Sequence, residues 1–361
     1  MKLIAGVDGG ENSTVAAIAD EAGHLLGRAS YPHEHFGGVR GFARHEAAVL
    51  RAVAAARAAA NIIDASPFEA VAVGLPRFDE AMALALNPIA KRVAVMQDAE
   101  IAHVGALGGK PGIVVFAGTG SVALGTAPGV STFVRAGGWG NVFGDEGSAF
   151  WIGREAIRSA MSAADRGEPS RLHEAALSFF QVPTLHALQQ AYAQSKVTPS
   201  HIAAFARVTL DLASQITDPP GAMDGAAFHT RTHAAHHLTE LAMVVDARLP
   251  TSSERYFSYG GSLFADMGLR DKFAWMLEMR RSAALERARC AERTASSKHE
   301  YERYGLSPAR LPQLGPIEPI GEPFEGAIIL ARHLARSSTS KTCFTSDDVL
   351  EQFPIGFASM D

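Results

Sequence analysis

Apolar residues gather in short blocks near the start of the chain. Leu3-Ile4-Ala5-Gly6-Val7 runs without interruption to Asp8, Gly9-Gly10 follows, and Thr14–Ala19 forms a second run closed by Asp20-Glu21-Ala22-Gly23. Short apolar runs bounded by turn formers predict buried strands. His24–Tyr31 supplies a third strand, so the chain opens as a meander, unlike the strand–helix alternation of a dinucleotide-binding fold. From Val39 to Asn61 alanines are spaced by arginines, a composition of high helix propensity that stops at a loop over Asp64–Pro67. Val71–Leu75 and Val93–Met96 read as further core strands.

The opening pattern returns later. Ile113–Phe116, the turn Ala117-Gly118-Thr119-Gly120-Ser121 and Val122–Gly125 again place glycines and hydroxyls between two apolar strands, which marks the start of a second half. Glu146–Ala163 predicts a long helix entered from a glycine-rich loop, and helical patterns dominate from Leu172 to Arg248. A late strand, Tyr256–Tyr259, ends in Gly260-Gly261-Ser262-Leu263. Between Met279 and Arg310 high charge and few strand formers predict a solvated helix and an exposed loop. Glu325–Arg336 predicts a closing amphipathic helix, and Ser-Ser-Thr-Ser at 337–340 begins a tail to which no structure is assigned.

Composition narrows the function classes. The 361 residues are too many for one ordinary core and suit two domains. With 47% hydrophobic and 20% charged residues the chain is a folded globular protein. A net charge of −5 gives no basic footprint for nucleic acid or an anionic membrane. Cys290 and Cys343 are distant and form no C-x-x-C pair, so neither a disulfide framework nor a cysteine zinc site is expected, which suits a reducing cytoplasm. The first apolar run is too short for a signal peptide, and no run approaches the ~20 apolar residues that span a bilayer.

Three glycine-rich turns, each following a strand, share one physical use: backbone without side chains can approach a polyphosphate and offer it N–H groups. Asp8-Gly9-Gly10-Glu11-Asn12-Ser13-Thr14 puts a carboxylate at a strand end, where it could orient magnesium-bound water beside hydroxyls able to reach phosphate. Gly118-Thr119-Gly120-Ser121 is a second cradle, with Thr119 and Ser121 offering donors to the β- and γ-phosphates. Gly260-Gly261 is a third, suited to adenine and ribose. Taken singly, the turns also read as ordinary hairpin or helix-entry turns. Asp98, just past a strand and opening a helix, could accept the proton of a sugar hydroxyl attacking a γ-phosphate; the plainer alternative is a helix N-cap.

Read with Gly137-Gly138-Trp139-Gly140-Asn141-Val142-Phe143-Gly144-Asp145-Glu146-Gly147-Ser148, these turns resemble the BadF/BadG/BcrA/BcrD-type ATPases and N-acetylglucosamine kinases of the acetate kinase, sugar kinase, Hsp70 and actin superfamily. Ala149–Ala156 continues the pattern, and Glu322-Pro323-Phe324-Glu325-Gly326-Ala327 resembles its closing helix. The resemblance implies an α/β, two-domain, actin-like ATPase fold made of duplicated ribonuclease H-like domains, with ATP in the cleft between them. It implies boundaries at 1–112 and 113–322, a helix near 323–336 packing back on the first domain, and a tail at 337–361. Residue by residue, Asp8, Gly9, Gly10, Ser13 and Thr14 match the first phosphate motif, and Gly118, Thr119, Gly120 and Ser121 the second. Gly260 and Gly261 match the adenosine motif, Asp98 the catalytic base and sugar contact, and Gly138, Asp145 and Glu146 the sugar-side loop. The cofactors implied are ATP and magnesium, the substrate a small sugar such as glucosamine or N-acetylglucosamine, and the assembly a homodimer.

Two departures bear on substrate. Glu11 stands where the family's first motif has no negative charge, and no lysine follows. Where N-acetylglucosamine kinases carry a G-x-S-N loop, this chain reads His33-Glu34-His35-Phe36-Gly37-Gly38-Val39. The branch that holds an iron–sulfur cluster between subunits is disfavoured by the late position of both cysteines. A nucleotide-hydrolysing regulator and a degenerate sugar sensor remain as alternatives. His229, His233, His236 and His237 could share a helix face, and in the absence of an H-E-x-x-H arrangement they read as a solvated surface.

Overall fold

A computed structural model describes residues 1–10, 13–33, 42–76, 80–128, 130, 132–214, 224–250, 256–294, 316–337, 339 and 341–352. Glu11, Asn12, the 34–39 loop and residues 295–310 lie outside them, so the sequence readings made there stay as expectations.

The three opening runs become strands β1 (Leu3–Gly9), β2 (Ser13–Asp20) and β3 (Leu25–Pro32), paired antiparallel as the meander predicts. Helix α1 (Phe42–Ala59) follows, then β4 (Ala70–Leu75), α2 (Glu80–Leu86), β5 (Val93–Gln97) and α3 (Asp98–Leu107). β4 runs parallel to β1, and β5 parallel to β4. The order β3-β2-β1-β4-β5 continues into β10 (Cys343–Phe344), which lies parallel to β5.

A second sheet repeats this order. β6 (Gly112–Ala117), β7 (Ser121–Thr126) and β8 (Val134–Gly137) form another antiparallel meander, and β9 (Tyr256–Gly260) returns parallel to β6, giving β8-β7-β6-β9. Between β8 and β9 come α4 (Gly140–Phe143), α5 (Ala149–Asp165), α6 (Arg171–Phe180), α7 (Leu185–Ala193), α8 (Pro199–Ser214) and α9 (Gly225–Arg248). A 3-10 turn at Ser262–Ala265, α10 (Met267–Thr294), α11 (Pro323–Arg336) and α12 (Ser346–Gln352) complete the chain. Two meanders, each extended by a parallel strand in the same position, are the duplicated ribonuclease H-like arrangement of an actin-like ATPase fold.

Burial follows strand alternation. Ala5, Val7, Val71, Val73 and Val95 face a layer containing Val49, Val53 and Ala56 of α1. On the other face Ile4, Ala72 and Met96 pack against Ile101 and Val104 of α3 and Phe324, Ile328 and Leu334 of α11. The two helices meet at glycines: a Cβ on Gly326 would lie 2.0 Å from the Ile101 oxygen, and one on Gly105 would lie 2.4 Å from the Glu322 oxygen. Helix α3 touches both sheets, because Ala106 and Leu107 also pack on Val114 of β6.

Three expectations need correction. The helix predicted over Glu146–Ala163 begins at Ala149, because the Ser148 hydroxyl caps it by accepting from the Trp151 N–H at 3.2 Å, which leaves Asp145 and Glu146 in the preceding turn. The tail from 337 is partly ordered: Phe344, Val349 and Leu350 are buried in the core under β5. β8 and β10, both short edge strands, had no counterpart in the sequence reading.

Candidate functional site

Chemistry-bearing residues collect at the carboxyl ends of the parallel strands. Asp8 lies near the end of β1, in register with Gly74 of β4, and Gly74 is in register with Met96 of β5. Gln97 ends β5 and is the N-cap of α3, so Asp98 is the first residue inside the helix and not its cap. Gly74 brings the two acids close. A Cβ on it would stand 3.1 Å from the Asp98 Cα and 2.4 Å from the Ile101 Cδ1. Burial, then the nearby Asp98, then Glu322 raise the Asp8 pKa to about 6. Glu322, at the N-cap of α11, is paired with Arg28 at 2.9 Å.

The hydroxyl of Thr14 is turned inward. Thr14 is fully buried, and its Oγ1 lies 3.0 Å from the Nε2 of the buried His33. Ser13 is half-buried at the start of β2, beside Gly10.

The second glycine turn is woven into the loop that follows β8. The carbonyls of Gly118 and Thr119 accept from the Ala149 and Phe150 N–H groups at the start of α5, at 2.9 and 3.3 Å. Ser121 gives its hydroxyl to the Glu146 carbonyl at 2.8 Å, and its own carbonyl accepts from the Gly138 N–H at 2.8 Å. Asp145 leans on the same turn: a Cβ on Gly120 would lie 2.9 Å from its Oδ2. Asp145 adopts φ +58, in the left-handed region that aspartate tolerates better than most residues. Burial raises its pKa, against the lowering effect of the Ser121 and Gly140 N–H groups. The space beside Gly118 is open, with no atom within 4 Å of an added Cβ.

The third turn presses against the second. β9 lies beside β6 with Gly260 opposite Phe116, and a Cβ on Gly261, at φ +94, would sit 2.3 Å from the Ala117 oxygen. Only glycine allows that approach.

Asp8 and Asp98 are therefore brought together, as are Gly118–Ser121 with Gly138, Asp145, Glu146 and Gly260–Gly261. No hydrogen bond or ion pair among the described residues joins Asp8–Thr14 directly to Gly118–Ser121. The link is Arg135 of β8, which donates to the Gln97 Oε1 at 3.2 Å and to the Gly138 carbonyl at 3.1 Å. Sequence reasoning missed Arg135, Gly74 and Glu322. The first stands two residues before the Gly137-Gly138 pair, a pair that is itself a signal of something lying close against the backbone.

Burial is the main cause of the raised Asp8 pKa, and the negative charge of Asp98 and Glu322 nearby adds to it. A divalent cation suits that charge. Among the described residues no group of three or more His, Cys, Asp or Glu side chains is arranged to hold a metal, so a cation there would be held largely through water and phosphate oxygens, the usual habit of magnesium. His236 lies 3.8 Å from Glu240, and His237 packs edge-on against Trp151 at 5.0 Å.

Comparison with known proteins agrees with this architecture. The crystal structure of a protein assigned as an N-acetylglucosamine kinase from Chromobacterium violaceum superposes with TM-score 0.63 at 24% identity, covering 93% of this chain and 99% of that one. A similarly assigned protein from Porphyromonas gingivalis gives TM-score 0.58 at 19% identity, covering 93% and 99%. In sequence, an N-acetylmuramic acid/N-acetylglucosamine kinase from Clostridium acetobutylicum is 38% identical over 118 residues, a stretch spanning 32% of this chain and 38% of that enzyme. Among the described residues no helix is long and apolar enough to cross a membrane. The model of the BadF/BadG/BcrA/BcrD ATPase family matches residues 5–283, and the chain belongs to that family.

Proposed function

We propose that this protein is an ATP-dependent kinase that transfers a phosphoryl group to a hydroxyl of a small sugar, with an aminosugar such as glucosamine or N-acetylglucosamine as acceptor. The observation that carries it is the pairing of Asp8 and Asp98 across Gly74, at the strand ends where ligands of open α/β sheets bind. The family and the names of the similar kinases support it.

In this mechanism Asp98 takes the proton from the acceptor hydroxyl as its oxygen attacks the terminal phosphorus, and the bond from phosphorus to the leaving oxygen of ADP breaks. Asp8 would hold a magnesium ion through water. When bound, that ion supplies neutralisation of phosphate charge. Gly9, Gly10 and Ser13 on one side, and Gly118, Thr119 and Gly120 on the other, present backbone and hydroxyl groups to the phosphates. Ser121 and Thr14, whose hydroxyls are committed to Glu146 and His33, shape the turns from behind. Gly260 and Gly261 border adenosine, and Gly138, Asp145 and Glu146 face the sugar. Residues 1–112 and 113–322 act as the two domains, with 323–336 returning to the first, and the protein works in the cytoplasm, as a homodimer.

The test is a coupled assay of ADP formation over a panel of aminosugars and hexoses with magnesium. Turnover that rises with one acceptor supports the proposal. ATP consumption independent of every sugar would instead identify a regulatory ATPase.

A further inference from the structure

Among the described residues, Arg135 connects the end of the first sheet to the loop that leads to Asp145. It stands on β8, an edge strand of the second sheet, and its guanidinium donates from Nη1 to the Gln97 Oε1 at 3.2 Å, from Nη2 to the Gly138 carbonyl at 3.1 Å and from Nε to the Gly137 carbonyl at 3.4 Å. Its own carbonyl accepts from Arg248 of α9 at 2.7 Å, so its backbone is held from the side opposite its head group. Gln97 immediately precedes Asp98 and caps α3.

The glycines of this loop make room for that side chain. Gly138 has φ +70, and a Cβ there would lie 2.2 Å from the Arg135 Nη2. Arginine offers these acceptors donors in a fixed planar fork, whereas lysine offers its three donors from a single point. The contact is solvent-exposed and adds to the packing of Ala106 and Leu107 on Val114 that already joins α3 to the second sheet.

We infer that Arg135 is a positioning residue that clasps the Asp98 end of α3 to the acceptor-side loop, an inference that rests on the kinase reading above. It does not touch the reacting atoms. Its effect is to fix the base relative to the sugar; it donates no hydrogen bond to Gly118–Ser121, and the second phosphate turn meets it only through the Gly138 N–H on the Ser121 carbonyl.

The test compares Arg135→Met, Gln97→Met and the double variant. Each single change should lower kcat/KM for the acceptor roughly tenfold to a hundredfold, the scale on which a misplacement of about 1 Å acts. KM for ATP should change far less than kcat/KM for the acceptor, and the double variant should lose clearly less than the product of the two single losses, since the singles share the Arg135–Gln97 contact. Losses that multiply, or an equal rise in KM for ATP, would overturn the inference. Hydrogen–deuterium exchange across residues 97–107 provides an arm independent of turnover: both variants should exchange faster there than wild type, and unchanged exchange would also overturn it. If Arg135→Met fails to fold, Arg135→Lys, which keeps the charge without the fork, replaces it in both arms. A wild-type protein inactive with every acceptor defeats the kinase reading, while the exchange comparison still decides whether Arg135 holds α3.

Discussion

Asp8 and Asp98 stand on either side of Gly74, and the missing side chain of that glycine lets the backbone at Asp98 approach β4. Replacing Gly74 by alanine puts a Cβ 2.4 Å from the Ile101 Cδ1 and 3.1 Å from the Asp98 Cα, so the Ile101 side chain must repack and the start of α3 must give slightly. Overpacking of this kind costs about 1–3 kcal/mol. Gly74→Ala should lower the urea midpoint accordingly and remove most acceptor-dependent turnover; full activity with unchanged stability would show that the spacing of the two acids is immaterial.

Removing the proposed base separates chemistry from binding. Asp98→Asn keeps size and should lower kcat by about 10²–10⁴-fold, the usual contribution of general base catalysis, with ATP affinity retained in calorimetry. Near-normal turnover would assign the proton transfer elsewhere.

Half-buried Asp8 and fully buried His103 oppose each other in acid. Folding raises the Asp8 pKa from 3.8 to about 6, so the stability tied to its proton is complete below about pH 4 and is lost as pH rises through about 6. His103, fully buried in α3 with Nε2 donating to the Gly112 carbonyl at 3.0 Å, moves the other way: burial lowers its pKa from 6.5 to about 4. Its stability is complete above about 6.5 and is lost as pH falls through about 4. At about 1.4 kcal/mol per pH unit each effect reaches up to about 3 kcal/mol, with opposite sign over the shared range. In magnesium-free buffer Asp8→Asn should therefore be more stable than wild type at pH 7.5, and lose that advantage toward pH 4. His103→Gln should gain on wild type as the solution is acidified. Urea titrations at several pH values measure both, and parallel curves for all three proteins would refute the pair of assignments.

Glycines in this chain serve two purposes that substitution can tell apart. Gly118→Ala adds a methyl into open space, so stability should hold while KM for ATP rises, because the methyl occupies the proposed phosphate approach. Gly326→Ala drives a methyl to 2.0 Å from the Ile101 oxygen, and should destabilise the fold by about 1–3 kcal/mol or more. Equal loss of stability in both would contradict the distinction.

Much of the fold was legible because β1, β2, β4 to β7 and β9 are apolar runs punctuated by glycine, a signal local enough to read directly. β8 escaped because only Val134 and Ala136 are apolar in its four residues, and β10 because its two residues form a strand only where β5 offers an edge. At the site, residue types and spacing disclosed the acids and glycine turns. They did not disclose that Thr14 and Ser121 point their hydroxyls into the protein, since orientation depends on His33 and Glu146, which are distant in sequence. Arg135 was hidden for the same reason.

The sheet face bearing Ile4, Ala72 and Met96 is covered by α3 and by Phe324, Leu330, Leu334 and Phe344, whereas the apolar residues described in the core around Ile113, Trp151, Phe257 and Leu277 lie within 113–277. A ribosome working from the amino end therefore delivers the described apolar residues of the later core while the earlier sheet still lacks α11 and β10 on one face. At roughly 5–20 residues per second, that interval lasts seconds. The portion synthesised first is the portion completed last, and its uncovered apolar face is what a chaperone would meet.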